Sequence, residues 1–512
     1  MTQYIDNLLN KITMYKLTLY YLIFLIAAAV LLSFFKLLSY NPIDIIISSS
    51  VAVVVSYISN IIFAKFFKAS TNIESVFITA LILSLIIPVK FPGNIIFIIS
   101  ASGLAMASKY LLTIEKRHIF NPAAVAVAAI ALLSPEHTAT WWVGTPIMLP
   151  FVLTGGLLVV RKIRREEMVF NFFFAYFIIV AFGAFIDTHS IIGVLSKWEF
   201  GILHSALFFF AFIMFTEPLT SPSTEDKRTY FAYFIALLYT TPMIRFLPLA
   251  FSPENALVLG NVLSYFVSPN YRLDLYLKLK RQLSPDTFEF IFKTPRKVSF
   301  IPGQYMEWTI NHPNSDSRGN RRYFSISSSP TEEDLAITVK FYVPSSSYKK
   351  ELTSLTENKK VVAASLAGDF TIENDLNEPL VFIAGGVGIA PFRSIIKYIL
   401  DKNLRVNIIL IFANRTKEDI IFSDIFEKAR PNGVNTVYVL TDKEKLPLGW
   451  QGLSGHLTED SIRSTVPDFS KRIFYISGPQ LMVQNFEKIL ISIGVKKNKI
   501  ITDFFPGYSE TK

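Results

Sequence analysis

The uneven distribution of charge is the feature that most restricts what this chain can fold into. Of the 50 Lys+Arg and 40 Asp+Glu, residues 1–268 hold 17 and 13, which leaves 33 and 27 for residues 269–512. The first part contains about ten apolar runs of roughly 20 residues, the length of a helix that crosses the hydrocarbon core of a bilayer. The runs begin near Leu17, Asp44, Ser75, Asn94, Asn121, Pro146, Val169, Gly201, Tyr230 and Asn255. The sequence therefore predicts a polytopic α-helical membrane domain of about ten helices over residues 1–268, followed by soluble domains.

The basic residues between these runs predict an orientation. Thirteen Lys and Arg fall in loops on the side of the amino terminus, and four fall on the other side: Lys36, Lys90, Lys197 and Arg245. Cytoplasmic loops carry the excess of Lys and Arg in membrane proteins. We therefore expect a multi-pass protein of the bacterial cell (inner) membrane, with the amino terminus and the soluble half in the cytoplasm and the lipid bilayer as a partner.

The composition also limits the possible redox chemistry. The chain has no Cys, which excludes disulfides, thiolate zinc sites and Cys-ligated iron–sulfur clusters. Of six His, only His204 lies in an apolar run, whereas a transmembrane haem reductase needs paired axial His. We expect no metal, haem or iron–sulfur cluster, so an electron carrier here is predicted to be organic. The net charges of the two parts, +4 and +6, form no basic stripe, so nucleic acid is not an expected partner.

Two polar strings in the membrane half are candidate cofactor sites. HIFNPAA contains Asn121 at a predicted helix start, where free N–H groups suit an anion or phosphate, although Asn121 also fits a simple helix cap. FTEPLTSP contains Thr216 and Glu217, and Glu217 can pair with Arg228 or lie in solvent. In a third string, EHTATWWVGTP, Trp141 and its neighbour fit interfacial anchors, with stacking on a flavin as the alternative.

These strings, together with TGGLLVVRKIRR at residues 154–165, resemble the membrane subunits B and D of the sodium-pumping NADH:quinone reductase and of the Rnf complex. The resemblance covers most of residues 70–266 and implies ten helices that carry flavins. Members bind FMN covalently at a Thr in an SGAT-like motif, which this sequence lacks. We therefore predict a non-covalent FMN or riboflavin near Asn121 and Thr216.

From residue 271 onward the pattern changes to alternating, strand-forming segments such as FEFIFKTP, and after about residue 380 to strand–helix–strand units. This predicts a β-barrel domain at 269–378 and an α/β domain at 379–512.

One barrel string, RRYFSISSSP, combines a cation, two aromatic rings and a hydroxyl. Arg322 and Phe324 alternate with Tyr323 and so share a strand face. A guanidinium suits a pyrophosphate, an aromatic ring can cover an isoalloxazine, and Ser325 could hydrogen-bond its edge. An ordinary edge strand is the alternative. Ser347, in SSSYKKEL, fits either a phosphate ligand or an N-terminal helix cap.

The α/β part contains a glycine-rich turn between a predicted strand and helix. GGVGIAP places Gly385, Gly386, Gly388 and Pro391 where a backbone can approach a diphosphate. It differs from the GxGxxG fingerprint. YISGPQLMV contains Ser477, Gly478 and Pro479 after another strand, and DFFPGY places Phe505 near the end. These two strings fit contacts to a nicotinamide and a flavin, or simple packing.

The order and spacing of these strings resemble the ferredoxin–NADP reductase superfamily over residues 270–512. The resemblance implies that FAD is bound through Arg322, Phe324 and Ser325, with Ser347 as a phosphate ligand. It implies that the glycine turn lines the nicotinamide nucleotide's pyrophosphate and that Asn414 and Arg415 lie near its adenosine. Ser477 stands where many members have a Cys near the hydride path, so Ser325 and Ser477 are the expected catalytic residues.

Joining the halves predicts a membrane flavoprotein oxidoreductase. NAD(P)H would reduce FAD on the cytoplasmic side, and electrons would pass through a further flavin or quinone to a membrane acceptor or an outer-side flavoprotein or quinone. A redox-driven ion pump subunit is the alternative, and a transporter or receptor with a regulatory reductase half is another. ANRTKED, at residues 413–419, carries both basic and acidic side chains and slightly favours NADH over NADPH.

Overall fold

The chain forms two compact units, Met1–Asn270 and Tyr271–Lys512. This division comes from a computed structural model, which describes residues 5, 8–9, 12–69, 72–88, 90–114, 117–243, 250–268, 272–313, 315–316, 319–373 and 375–505. The division lies close to the predicted end of the membrane domain at residue 268.

The first unit is built from helices in its described residues. They are α1 Met14–Phe34, α2 Pro42–Phe66, α3 Ile73–Ile86, α4 Ile95–Leu111, α5 Pro122–Leu133, α6 Leu149–Ile163, α7 Glu166–Thr188, α8 Ile191–Leu203, α9 Leu207–Phe209, α10 Glu225–Thr240 and α11 Pro253–Val267. A π-helical turn, Phe210–Met214, continues α9, and a two-stranded ribbon pairs β1 Thr113–Ile114 with β2 Arg117–His118.

Only some of these helices match the predicted membrane spans. Among the described residues, α1, α2 and α7, with 21, 25 and 23 residues, are long and apolar enough to cross a bilayer. The pair of α8 and residues 207–214, bent by 63°, would make a fourth span. The predicted count of about ten spans is therefore not confirmed.

The physical reason is that an apolar run need not be one helix. The run that begins at Asn121 forms α5, which has 12 residues and ends at Leu133; its C-cap, Ser134, is followed by a proline. Pro disfavours the helical conformation of the residue that precedes it. At 1.5 Å per residue α5 is about 18 Å long, well short of the roughly 30 Å hydrocarbon core.

Glycines bring α6 into close contact with its neighbours. A Cβ on Gly155 would lie 2.2 Å from the ring of Tyr21, and one on Gly156 would lie 2.3 Å from the ring of Phe212. Tyr21 also donates a 3.0 Å hydrogen bond to the carbonyl of Val152. Small residues allow such approach in tightly packed helical bundles. The TGGLLVVRKIRR string is therefore a packing surface in this structure.

The second unit begins with an antiparallel six-stranded sheet. Its strands are β3 Arg272–Ser284, β4 Thr287–Lys293, β5 Tyr305–Thr309, β6 Arg321–Ser325, β7 Leu335–Lys340 and β8 Lys360–Ala367, in the order β6-β5-β8-β3-β4-β7. The alternating side chains close over a core that includes Trp308, Phe292 and Tyr348. A short helix, α12 Ser347–Thr353, packs on this core through Tyr348 and Leu352. The prediction of a β-sheet domain of this kind is confirmed.

A parallel sheet with helices follows. Its strands are β9 Pro379–Gly385, β10 Asn407–Asn414, β11 Val434–Leu440, β12 Leu453–Ser454, β13 Ile473–Pro479 and β14 Ile500–Phe505, in the order β12-β11-β10-β9-β13-β14. The helices are α13 Ala390–Asp401, α14 Ser423–Lys428, α15 Glu459–Thr465 and α16 Gln480–Ser492. Apolar clusters pack against both faces of the central strands, as buried parallel strands require. The predicted α/β fold is confirmed.

Candidate active site

The carboxyl ends of three parallel strands define a crevice in the second unit. From β9 the chain continues through β10, β11 and β12 on one side, and then returns to place β13 on the other side of β9. Ligands of open α/β sheets bind at the carboxyl ends of strands where the order reverses in this way. Gly385 lies opposite Ala413 of β10, and Ser477 of β13 lies opposite Ala384. The structure thus brings the glycine turn, Asn414 and Ser477 to one edge.

The structure requires glycine at different positions of this turn for different reasons. Gly386 has a φ of +52°, and a Cβ added there would meet no atom within 4 Å. A Cβ on Gly388 would instead lie 2.3 Å from the backbone oxygen of Ser477, and one on Gly385 would lie 2.2 Å from Sδ of Met482. Gly386 therefore leaves open space for a ligand, whereas Gly385 and Gly388 allow the turn to pack on β13 and α16.

The helix that follows the turn has a proline in its first turn. Pro391 is buried in the first turn of α13, where the missing N–H of proline costs no helical hydrogen bond.

Three side-chain atoms at this edge are buried without a partner. Asn414 is 3% exposed, and neither its Oδ1 nor its Nδ2 has a hydrogen-bond partner within the described part of the chain. The same holds for Oγ of Ser477, which is fully buried. A buried polar group left unsatisfied costs about 1–3 kcal/mol. These atoms therefore fit a polar ligand such as a nicotinamide nucleotide, which would supply the missing bonds.

The remaining predicted residues of this edge lie around the crevice. Arg415 is exposed, with its Nε 3.5 Å from a carboxylate oxygen of Asp442. Gly478 has a φ of +155°, and Pro479 ends β13 at the surface. Phe505 ends β14, and its side chain lies outside the described residues.

The barrel presents the predicted flavin residues on β6. The guanidinium carbon of Arg322 lies 5.1 Å above the ring of Tyr348, and the ring of Phe324 lies 6.0 Å from the same ring. Both side chains thus share one face of β6, as the alternation predicts. Tyr323 points to the other face and donates a 2.8 Å hydrogen bond to Glu307.

The hydroxyl of Ser325, on the same strand, is buried without a hydrogen-bond partner among the described residues. Ser325 is only 4% exposed. Together with the guanidinium of Arg322 on the same strand, this free hydroxyl fits a flavin with a diphosphate.

The uncharged side chain of Tyr348 lies against Arg322 and Phe324. Burial raises the pKa of its hydroxyl well above the usual range. The protonated hydroxyl donates a 3.2 Å bond to the backbone oxygen of Trp308. The ring is therefore fixed beneath Arg322 and Phe324 over the whole physiological pH range.

An acidic residue that the sequence reasoning missed lies against Arg322. Nη2 of Arg322 is 3.1 Å and 3.3 Å from the two carboxylate oxygens of Asp316. The backbone N–H of Ser347 donates to the same carboxylate at 3.2 Å, and Oγ of Ser347 accepts from the N–H of Asp316 at 2.9 Å. No periodic pattern marks Asp316, because one partner, Arg322, follows six residues later across a turn and the other, Ser347, lies 31 residues further along the chain.

The barrel and the α/β sheet are joined next to both sets of residues. Arg393 of α13 forms an ion pair with Glu332 and donates a 3.1 Å bond to the backbone oxygen of Ser327. Oγ of Ser394 donates a 2.6 Å bond to the backbone oxygen of Ser328. This joint links the loop after Ser325 to the helix after the glycine turn.

The first unit contains a polar cluster that joins the two predicted strings. Oδ1 of Asn121 caps α5 by accepting from the N–H of Ala124 at 3.0 Å, and its Nδ2 donates to Glu217 at 2.9 Å. The N–H of Asn121 donates to Oδ1 of Asn261 at 2.8 Å. Thr216 is buried, and its hydroxyl donates to the carbonyl of Phe212 in its own helical turn. HIFNPAA and FTEPLTSP therefore meet in space.

The two tryptophans are internal and not interfacial anchors. Trp141 is 8% exposed and donates a 3.0 Å bond to Glu254, while Trp142 is 2% exposed and donates a 2.9 Å bond to the carbonyl of Ser84. In the part of the chain that the structure describes, no three His, Asp or Glu side chains are grouped to hold a metal ion.

Comparison with known proteins agrees with the geometry of the second unit. Residues 382–488 match the family model described as the oxidoreductase NAD-binding domain. The matched residues lie in the parallel α/β sheet of the second unit. The match contains the glycine turn, Asn414 and Ser477. It confirms the prediction of an oxidoreductase that depends on NAD(P)H.

Individual relatives are distant. The chain is 28% identical over 248 residues to NADH-cytochrome b5 reductase 1 of Emericella nidulans, covering 46% of this chain and 79% of that protein. It is 28% identical over 214 residues to the glycine betaine monooxygenase reductase subunit of Chromohalobacter salexigens, covering 41% and 56%. It is 27% identical over 218 residues to a flavohemoprotein of Rhodopirellula baltica, covering 40% and 53%. The chain thus spans about half the length of several curated relatives.

Among solved structures, the chain is similar to a cytochrome P450 reductase of Amycolatopsis, with 23% identity, a TM-score of 0.42 and coverage of 47% and 72%. The predicted resemblance of the first unit to quinone reductase and Rnf subunits stays a prediction.

Proposed function

We propose that this protein is a membrane flavoprotein oxidoreductase. It takes hydride from NAD(P)H onto a bound FAD at the cytoplasmic face and passes the electrons into or across the membrane. The observation that carries the proposal is a set of buried polar atoms without a partner among the described residues: those of Asn414 and Ser477 beside the open glycine turn, and that of Ser325 on the barrel. Its support is the oxidoreductase NAD-binding match over residues 382–488 and relatives named NADH-cytochrome b5 reductase.

Each of these residues has a role in the proposal. Arg322 would hold the FAD diphosphate, and the hydroxyl of Ser325 would bond the edge of the flavin ring. Gly386 admits the diphosphate of the nicotinamide nucleotide, and Asn414 orients its adenosine end. The hydroxyl of Ser477 would hydrogen-bond the nicotinamide and so position it.

The burial of the Ser325 and Ser477 hydroxyls fits hydride transfer to a flavin. When bound, FAD accepts a hydride from the nicotinamide and can release the electrons one at a time. Ser325 and Ser477 are both nearly or fully buried, so their hydroxyls orient ligands in a space from which water is excluded. Exclusion of water strengthens the hydrogen bonds that these hydroxyls would make inside the site.

NADH is the proposed donor. A carboxylate oxygen of Asp442 lies 3.5 Å from Nε of Arg415, so this cation already has a carboxylate partner. A 2′-phosphate would have to approach that carboxylate.

The membrane step needs a second carrier. The hydrocarbon core is about 30 Å thick, which is too far for one useful electron-transfer hop. We propose a non-covalent FMN or riboflavin, or a quinone, near Asn121 and Thr216. The polar cluster of Asn121, Glu217 and Asn261 supports this place because it provides hydrogen-bonding groups among apolar helices. The acceptor is then a quinone or a separate flavoprotein on the outer side of the membrane.

The test uses the purified full-length protein in detergent. Its extracted flavins are identified by chromatography, and NADH and NADPH oxidation are followed with a quinone analogue and with a soluble dye. The expected result is FAD plus a second flavin or quinone, with NADH-dependent quinone reduction. Ser477→Ala should lower the rate of flavin reduction at least tenfold. Asn121→Ala should reduce second-flavin content while dye reduction remains. FAD alone, with reduction only of the dye, would refute the membrane step.

A redox-driven ion pump subunit is the second candidate. It is favoured by the ionisable groups of the polar cluster, since Lys109 interacts electrostatically with Glu217 and ionisable side chains among apolar helices are costly unless they serve a function. NADH added to liposomes that contain the protein would then drive ion uptake. Quinone reduction without ion movement would exclude this candidate.

A further inference from the structure

The guanidinium proposed to bind the FAD diphosphate is engaged by a carboxylate of the same chain. Both oxygens of Asp316 accept from Nη2 of Arg322, at 3.1 Å and 3.3 Å. The carboxylate also accepts from the backbone N–H of Ser347, the second predicted phosphate ligand, at 3.2 Å. Asp316 thus contacts the same two donors that a diphosphate would use.

The Asp316 carboxylate and a diphosphate would use the same hydrogen-bond donors. The N–H groups of an Arg guanidinium bind both carboxylates and phosphates. The Arg322 and Asp316 side chains are only 14% and 17% exposed, so solvent screens their attraction less than that of a surface pair. A diphosphate and the Asp316 carboxylate therefore exclude each other at Nη2, both by position and by like charge.

Arg322 does not depend on Asp316 for its orientation. Its Nη1 donates to the backbone oxygens of Gly319 and Arg321, at 3.0 Å and 2.7 Å, and its guanidinium rests on the ring of Tyr348. These contacts fix the side chain from the backbone and the barrel core. The Asp316 carboxylate thus occupies the proposed diphosphate position but is not needed to hold Arg322 in place.

We propose that Asp316 is an internal competitor for the diphosphate site, so that FAD binds only by displacing it from Arg322 and Ser347. This inference rests on the proposed function. It makes FAD affinity lower than the site alone would give, and it makes the cofactor exchangeable.

The test is FAD titration of the full-length protein, freed of flavin, with binding followed by the quenching of flavin fluorescence. Bound FAD is then quantified by chromatography, which separates it from FMN and riboflavin. Asp316→Asn should lower the Kd for FAD about tenfold, equivalent to about 1.4 kcal/mol. Asp316→Ser should act in the same direction, so that a folding failure of one variant leaves the other decisive.

Asp334→Asn is the matched control. Asp334 pairs with Lys278 on the same barrel, with a similarly small exposure of 14%, and should leave the Kd unchanged. In an Arg322→Ala background, where the shared donor is missing, Asp316→Asn should lose most of its effect.

The outcomes separate the two levels of the proposal. If Arg322→Ala weakens FAD binding but both Asp316 variants leave it unchanged or weaker, the competition is refuted and the FAD site stands. If Arg322→Ala does not weaken FAD binding, the proposed FAD site itself is wrong.

Discussion

Alanine at Gly388 and alanine at Gly386 should have opposite consequences, although the two residues belong to one turn. The Cβ of Gly388→Ala would lie 2.3 Å from the oxygen of Ser477 and 2.6 Å from Cα of Gly478. Ordinary contacts begin at 3.4 Å, so the turn and β13 must separate by about an ångström. Both neighbours are backbone atoms and have no alternative rotamer.

The expected cost follows from this geometry. Overpacking of a well-packed core costs about 1–3 kcal/mol, and the rigid neighbours place Gly388→Ala in the upper half of that range. For a unit of this size each kcal/mol lowers Tm by about 2–4 °C. Gly386→Ala meets open space and costs only the strain of its positive φ, about 1 kcal/mol. Its methyl group would instead occupy the space proposed for the nucleotide.

The assay is calorimetry of the full-length protein together with steady-state NADH oxidation. Gly388→Ala should lower the Tm of the second unit by about 5 °C or more. Gly386→Ala should lower it less and raise the KM for NADH at least tenfold. If Gly386→Ala leaves the KM unchanged, Gly386 does not face the nucleotide. If Gly388→Ala melts like the unchanged protein, the packing account of this glycine is wrong.

Three further predictions concern other parts of the molecule. Asn414→Leu should raise the stability of the ligand-free protein by about 1 kcal/mol, because it removes an unsatisfied buried amide, while raising the KM for NADH; lower stability would show that the amide has a protein partner. The hydrogen bond from Arg472 lowers the pKa of Asp468, so the pair stabilises the fold above the unfolded pKa of about 3.9. This contribution is lost as the pH falls through the folded-state pKa. Asp468→Asn should therefore lower the free energy of unfolding near neutrality and flatten its dependence on pH in that acid range; an unchanged pH dependence of urea unfolding would contradict the pairing. Gly156→Ala should destabilise the first unit by about 1–3 kcal/mol through its clash with Phe212, whereas the control Gly103→Ala, with no atom within 4 Å, should not; equal melting of the two variants would contradict the packing.

The secondary structure of the second unit could be predicted because it depends on local pattern. Alternation in FEFIFKTP places successive side chains on opposite faces, and that segment forms β4. The run PLVFIAGG reads as a buried strand that ends in glycine, and it forms β9 followed by the turn. These patterns work because one face of a barrel strand, or both faces of a parallel strand, must be apolar.

The number of membrane spans was harder to predict. Hydropathy measures how apolar a run is, but not where its helix ends or bends. The break between α8 and α9 at residues 204–206 and the early end of α5 at Leu133 follow from packing and from local backbone geometry. A count of apolar runs therefore exceeds the count of helices long enough to cross a bilayer.

By itself, the sequence determined the division into an apolar helical part and a more charged part, the strand and turn pattern of the charged part, and the exclusion of cysteine chemistry. These properties depend on residue type and short-range spacing. Only the tertiary structure decided that Asp316 contacts Ser347, that Asn121 contacts Glu217, and that the amide of Asn414 is buried without a partner among the described residues. Such contacts depend on which distant segments the fold brings within hydrogen-bond range, and the free energy of a buried polar group is set by those partners rather than by its neighbours in sequence.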